Sequence, residues 1–425
     1  MLIVDNKNLQ ITFNSLSLRR LVELINNIKM NIDHLLSANA KSMRRSAIRD
    51  LLSVANKPEI ISFGGGFPSP DSFPIAELKQ IMMDVMDEQG AAALQYGSTE
   101  GYVPLREEIS KLYQEEGLNI PIKNILVTTA SQQAIDLLSR IFINPNDIII
   151  CGLPSYLGAL QAFWAYQCQP YGLRQDDRLE EAVNALVAAG KSPKFIYSIP
   201  DFQNPSGVTM TIEERKNVIA VAEKYDLLII EDSPYKQIRF EGESLPSMYS
   251  MCPERVVLLG TFSKIFVPGF RLGWVVANDN VIDRLIVAKQ SADLCTPIFN
   301  QMVAARYLKS GNFHTNIVKI KELYKHKKNV MIKAFEDYMP EGVTWTNPEG
   351  GLFLFLNLPP QYDTRELFDI AIKENVAFVI GEAFHCDGSG KNTMRMNFSY
   401  ASDEKIIEGI KRLAKAIREL YDRHS

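Results

Sequence analysis

The chain has 425 residues, 46% hydrophobic and 23% charged, with 46 Lys and Arg against 50 Asp and Glu for a formal charge of −4. That length holds two or three domains and a large core without staples, and a mildly acidic balance with no dense basic run excludes nucleic acid as the main partner. The cysteines, at 151, 168, 252, 295 and 386, are odd in number and lack metal-ligand spacing, which excludes a disulfide scaffold and a structural zinc site and suits a reducing cytoplasm. No apolar stretch approaches the roughly 18 residues of a membrane span.

Residues 1–29 run from a polar, strand-like start, MLIVDNKNLQITF, into a short amphipathic stretch, LRRLVELINNIKM. Acids at Asp5 and Glu23, and no apolar segment with a small-residue cleavage site, argue against a targeting peptide. Met30, directly before NIDHLLSANAKSMRRSAIRDLL, offers an alternative translation start. Residues 1–60 are expected to form an amino-terminal extension and arm.

From about residue 120, short β-branched runs alternate with helical-period segments: NILVTT, DIIICGL, KFIYSI, DLLIIED, RVVLLGTF and RLGWVVA, with SQQAIDLLSRIF and TIEERKNVIAVAEKY among the helices. Such alternation predicts an α/β architecture with a mostly parallel sheet covered on both faces, in a large domain spanning 61–310. Ligands of such sheets sit at the carboxyl ends of the strands. Residues 297–338 read as continuous helix. After them, strand GLFLFLNL, helix TRELFDIAIKE, strands VAFVIG and TMRMNFSY and a closing helix from about 403 to 421 predict a smaller α+β domain, 311–425, that packs with the amino-terminal segment.

Four features fall where the large sheet would present a ligand. In TTASQQAID a strand gives way to a helix with Ser131 as its expected cap, either a plain cap or the amino-terminal N–H cluster that binds phosphate. In IIEDSPY, Asp232 ends an apolar strand with Tyr235 three residues on; a buried carboxylate there needs a cation, while a loop-solvated acid is the bland reading. In TFSKIFVPGFRLGW, Lys264 follows Thr261 and Ser263 and precedes Arg271 by seven residues. A partly buried lysine has its charge disfavoured and can attack a carbonyl, with hydroxyls and an arginine beside it for a phosphate; alternatively these are ordinary surface charges. In TMRMNFSY, Arg395 alternates with two methionines, either paired with a protein carboxylate or forked onto a substrate carboxylate. Together the four supply what a pyridoxal-phosphate enzyme requires.

The chain resembles the fold-type I, class I/II pyridoxal-phosphate aminotransferases, and among them most the kynurenine and 2-aminoadipate aminotransferases. The resemblance runs from about Ala38 to the end and rests on ISFGGGFPSPDSFP, LQYGSTEGYVPLREEI, TTASQQAIDLL, IPDFQNPSGVTMT, IIEDSPY, TFSKIFVPGFRLGW and TMRMNFSYA in that order. It implies pyridoxal 5′-phosphate as cofactor and no metal. Lys264 then matches the lysine that forms the internal aldimine and shuttles the proton. Asp232 matches the acid on the pyridine nitrogen, and Asn204 and Tyr235 the donors to the phenolic oxygen. Ser131, Gln132, Ser263 and Arg271 match the phosphate cup, with Thr261 where relatives usually carry serine, and Tyr156 matches the ring-stacking aromatic. Tyr96 matches a tyrosine that reaches the neighbouring subunit's phosphate, implying a homodimer. Arg395 matches the α-carboxylate fork. Arg49 stands where an amino-terminal arginine closes over the substrate side chain, with Gly66 in the backbone approach.

The implied activity is transfer of an amino group from an L-amino acid, such as 2-aminoadipate, glutamate, or an aromatic or branched-chain one, to a 2-oxo acid such as 2-oxoglutarate. It belongs to cytoplasmic amino acid metabolism and biosynthesis. The alternatives are a β-lyase with the same cofactor, and a non-catalytic sensor domain of the kind found behind winged-helix modules. Fewer than about 45 residues precede the matching pattern, too few for such a module.

Overall fold

The computed structural model describes residues 32–43, 57–174 and 178–424. The expectations for residues 1–29, Met30 and Arg49 lie outside the described residues. Two units divide the chain, 1–41 and 42–425. In the first, the described residues make a turn and enter the short helix Ala38–Ser42. All that follows concerns the second.

After a two-residue strand β1 (Ile61–Ser62), seven strands build the central sheet: β2 (Ile125–Thr129), β3 (Ile148–Gly152), β4 (Gln169–Leu173), β5 (Pro193–Ser198), β6 (Leu228–Asp232), β7 (Val256–Thr261) and β8 (Leu272–Val276). Their order is β2-β8-β7-β6-β5-β3-β4. The pairs from β7 through β4 are parallel. The six apolar runs of the sequence all lie in this sheet. Their apolar content is nearly continuous because both faces are buried. Ile149, Phe195, Tyr197, Ile230 and Val257 meet one hydrophobic cluster, whereas Ile150, Ile196, Ile229 and Val256 meet another that includes Val218, Ile219 and Ala222 of helix Ile212–Lys224. That helix starts with a capping box: Thr211 accepts from the Glu214 N–H while the Glu214 carboxylate accepts from the Thr211 N–H.

The sheet is mostly parallel as expected, and the structure adds detail to that reading. β8 runs antiparallel to both neighbours, because the chain returns to the sheet from the same edge at which β7 leaves it. β4 was not among the apolar runs; QPYGL carries a proline and a glycine, which an edge strand tolerates. The helical span 297–338 is two helices, Ile298–Lys309 and Asn312–Tyr338, broken where Gly311 takes φ 78°.

The carboxy-terminal part contributes β9 (Thr344–Trp345), β10 (Phe353–Asn357), β11 (Val376–Ala377), β12 (Val379–Ile380) and β13 (Thr393–Asn397). The run VAFVIG splits at Phe378. β11 pairs with β1 in a parallel ribbon, while β12 joins an antiparallel sheet of order β12-β13-β10-β9. In that sheet Arg395 lies opposite both Phe355 and Val379. The closing helix Asp403–His424 lays Ile406, Ile410, Leu413, Ile417 and Leu420 into the core at helical spacing. Among the described residues no helix is long and apolar enough to cross a membrane.

Candidate active site

The carboxyl ends of five parallel-sheet and neighbouring strands open onto one cavity of about 590 Å³, a size typical of small-molecule sites. β6 delivers Asp232 and then Tyr235; β7 delivers Thr261, Ser263 and Lys264; the segment after β5 brings Asn204; Ser131 and Gln132 follow β2 and Tyr156 follows β3. Because β8 is antiparallel, its beginning lies at this same edge, which sets Arg271 there. Gly66 and Arg395, from the two ends of the unit, close the list of predicted residues lining the cavity. Tyr96 does not line it: the residue is on the surface at 79% exposure.

Asp232 is 2% exposed. Its Oδ2 accepts a 2.7 Å hydrogen bond from the Tyr197 hydroxyl, while Oδ1 is buried without a partner. Burial pushes its carboxyl up to about 6, and the Tyr197 bond works in the opposite direction. Lys264 donates from Nζ to the Gly66 carbonyl at 2.7 Å. Burial above all, and then the positive charges of Arg395 and Arg271, bring its ammonium down to about 8. The lysine therefore reaches its neutral, nucleophilic form near physiological pH.

Arg395 is buried and sandwiched, its guanidinium 4.2 Å from the Phe353 ring centre and 5.1 Å from that of Phe384. Nη1 donates to Asn204 Oδ1 at 2.8 Å and Nη2 to the Gly64 carbonyl at 2.7 Å, but Nε is buried without a partner. The methionines that alternate with it, Met394 and Met396, are buried as well, since both faces of β13 are covered. Asn204 is held by its segment: the buried Arg215 bonds Asp201 at 2.8 Å and the Pro200 carbonyl at 3.2 Å.

Ser131 is not a helix cap. The helix runs Ala130–Phe142 from Thr129, and Ala130 takes φ 60°, so Ser131 falls inside the first turn. Gly273 explains the tight corner: a Cβ there would stand 2.6 Å from the Ala130 carbonyl carbon and 2.7 Å from the Ser131 nitrogen. Opposite, the Thr261 hydroxyl is within 3.1 Å of the Ser263 hydroxyl and accepts from the Ser263 N–H at 3.2 Å, which orders that turn. The Tyr156 hydroxyl donates to Gln132 Oε1 at 3.0 Å, and Gln132 Nε2 donates to the Gly158 carbonyl at 2.8 Å.

Sequence reasoning overlooked Tyr197, Phe353, Phe384 and the use of the Gly64 and Gly66 carbonyls. KFIYSI reads as ordinary buried strand, and the partner of its tyrosine depends on sheet register. For the glycines the run of three was a signal, though of close approach rather than of acceptors.

Two buried polar atoms without partners, one acidic and one cationic, fit a ligand that offers a donor to Asp232 and an acceptor to Arg395. Pyridoxal phosphate bearing an amino acid has both: a ring N–H and a carboxylate.

Comparison with known proteins points the same way. A sequence model of the family "Aminotransferase class I and II" matches residues 58–413. The aromatic-amino-acid aminotransferase 1 of Thermococcus litoralis is 44% identical over 410 residues, covering 94% of this chain and 98% of that protein. The solved kynurenine aminotransferase of Pyrococcus horikoshii superposes with a TM-score of 0.88 at 43% identity, covering 92% of this chain and 98% of that one. The α-aminoadipate aminotransferase of Thermus thermophilus, solved with N-(5′-phosphopyridoxyl)-L-leucine, gives a TM-score of 0.85 at 34% identity, over 92% and 99% of the two chains.

Proposed function

The chain belongs to the class I and II aminotransferases, with pyridoxal phosphate as cofactor and amino-group transfer as activity, and from that premise we propose the assignment of residues and substrates. The donors are L-amino acids of the 2-aminoadipate, glutamate, aromatic or branched-chain kind, and the acceptor is a 2-oxo acid such as 2-oxoglutarate. The observation that carries the assignment is the meeting of Lys264, Asp232 and Arg395 in one cavity.

When bound, the cofactor supplies an electron sink for the α-carbon's bonding pair and a carrier for the amino group. Lys264, its ammonium brought down to about 8, would hold the cofactor's carbonyl carbon through its Nζ and, when free, would move the α-proton. Asp232 presents its unpartnered oxygen to the ring nitrogen and holds a proton there. Tyr235 and Asn204 donate to the ring's phenolic oxygen. Ser131, Gln132, Thr261, Ser263 and Arg271 hold the phosphate, and Tyr156 stacks on the ring. Arg395, with its Nε still open, would fork the α-carboxylate and so orient the substrate's α-carbon. Lysine could not replace it, having a point charge instead of a planar fork.

The remaining assignments belong to the same reading. The exposed Tyr96 completes the phosphate site of a second copy in a homodimer, Arg49 covers the substrate side chain, and the enzyme works in the cytoplasm in amino acid biosynthesis. Residues 61–310 serve as the cofactor domain and 311–425 as the small domain, a division supported by the break at Gly311.

Gly273→Ala should weaken cofactor binding about ten- to a hundredfold, because an overpacked contact costs about 1–3 kcal/mol and here displaces the Ala130–Ser131 backbone. Titrating apoenzyme with pyridoxal phosphate measures it; wild-type affinity would remove that corner from the phosphate site. For the substrate class, a panel of L-amino acids is offered with 2-oxoglutarate and glutamate is quantified. Glutamate formation from 2-aminoadipate or aromatic donors is expected, whereas pyruvate and ammonia from β-substituted donors without glutamate would favour the β-lyase reading.

A further inference from the structure

Tyr197 lies on β5 directly across from Ile230 of β6, and both face the same hydrophobic cluster. Asp232, two residues further along β6, shares that face and is the diagonal neighbour of Tyr197, within reach of a long side chain. The Tyr197 ring is 1% exposed and packs edge-on against Phe163, with centroids 5.5 Å apart. Its hydroxyl is thereby held on Asp232 Oδ2 at 2.7 Å, and the other carboxylate oxygen is left for the cavity.

The geometry points to Tyr197 as a positioning residue that makes Asp232 the weaker base of the Asp232–ring nitrogen pair, so that the shared proton stays on the nitrogen. The inference rests on the reading of Asp232 given above. The physical reason is a competition. Burial alone makes a carboxylate cling to a proton, and a carboxylate more basic than the ring nitrogen would take the proton from it. A charge-assisted O–H···O⁻ bond stabilises the ionised form and works against that tendency, favouring the proton on the nitrogen. Burial also pushes the Tyr197 hydroxyl well up, so it remains a donor throughout the working pH range. A neutral ring withdraws electrons less, so the residue acts on rate through Asp232 without touching the substrate.

The test uses holoenzyme loaded with pyridoxal phosphate carrying ¹⁵N in the ring. In Tyr197→Phe, which keeps the ring and its packing, the nitrogen resonance is expected to move toward the unprotonated position. The first half-reaction should slow about ten- to a hundredfold, the usual worth of a hydrogen bond to a charged group. KM for the amino donor should stay put, because Arg395 is untouched. In an Asp232→Asn background the tyrosine change should add nothing. If the resonance responds to Asp232→Asn and ignores Tyr197→Phe, the inference about Tyr197 is overturned while Asp232 keeps its role. An additive slowing in the double variant also overturns it, by making Tyr197 independent of Asp232. A resonance indifferent to Asp232→Asn removes the Asp232 reading, and the inference with it.

Discussion

Lys264→Ala is expected to lower turnover by at least roughly four orders of magnitude, since it removes both the nucleophile and the proton carrier of the reaction. Pyridoxal phosphate should still bind, because Ser131, Gln132, Arg271 and Asp232, proposed to hold its phosphate and ring nitrogen, lie on other segments, and the Thr261 and Ser263 hydroxyls are unaltered. Borohydride reduction followed by mass spectrometry should therefore add the phosphopyridoxyl mass to the wild type and not to the variant. The same lysine sets a pH dependence. Its ammonium is brought from the usual lysine range to about 8, so the neutral amine accumulates as pH rises toward that value. Covalent capture of the cofactor by apoenzyme should accelerate up to about pH 8 and level off above it. Normal turnover in Lys264→Ala would end the assignment.

Asp232→Ala should slow the reaction roughly a hundred- to ten-thousandfold, the range usual for a lost acid–base or electrostatic partner. Among the described residues lining the cavity it is the only carboxylate, so no neighbour there can take over the ring proton. Glu231, though next in sequence, turns to the other face of the sheet and accepts from the Tyr249 N–H at 2.8 Å. Stopped-flow comparison of the first half-reaction gives the number. A loss of less than about tenfold would mean that a different group holds the ring nitrogen.

Much of this arrangement was legible in the residues themselves. Asp232 ends one apolar run and Lys264 closely follows another, and the alternation of those runs with helices is enough to put their carboxyl ends at one edge. The order of motifs carried the family. What was not legible depends on contacts distant in sequence or on single backbone angles. The antiparallel course of β8 follows from a short return through residues 262–271, which local periodicity cannot distinguish from a crossover. VAFVIG reads as one strand because each of its halves is apolar, and only the availability of β1 and β13 as partners divides it. Ser131 looked like a cap because the residue type favours that position, but the helix starts at the left-handed Ala130, two residues earlier than a Ser131 cap would set it. Tyr197 is the clearest case: nothing in KFIYSI distinguishes a tyrosine that packs from one that also donates to a carboxylate on the next strand.

The claim at the centre is that this cavity moves an amino group from an amino acid to the cofactor and leaves it there. The direct measurement is the ultraviolet–visible spectrum of the holoenzyme before and after stoichiometric 2-aminoadipate or glutamate, with no 2-oxo acid added. The expected result is loss of the cofactor's visible band, its replacement by the spectrum of pyridoxamine phosphate, and one equivalent of keto acid per site. Pyridoxal phosphate that stays spectrally unchanged, or that turns over with release of ammonia and no pyridoxamine phosphate, would contradict the account.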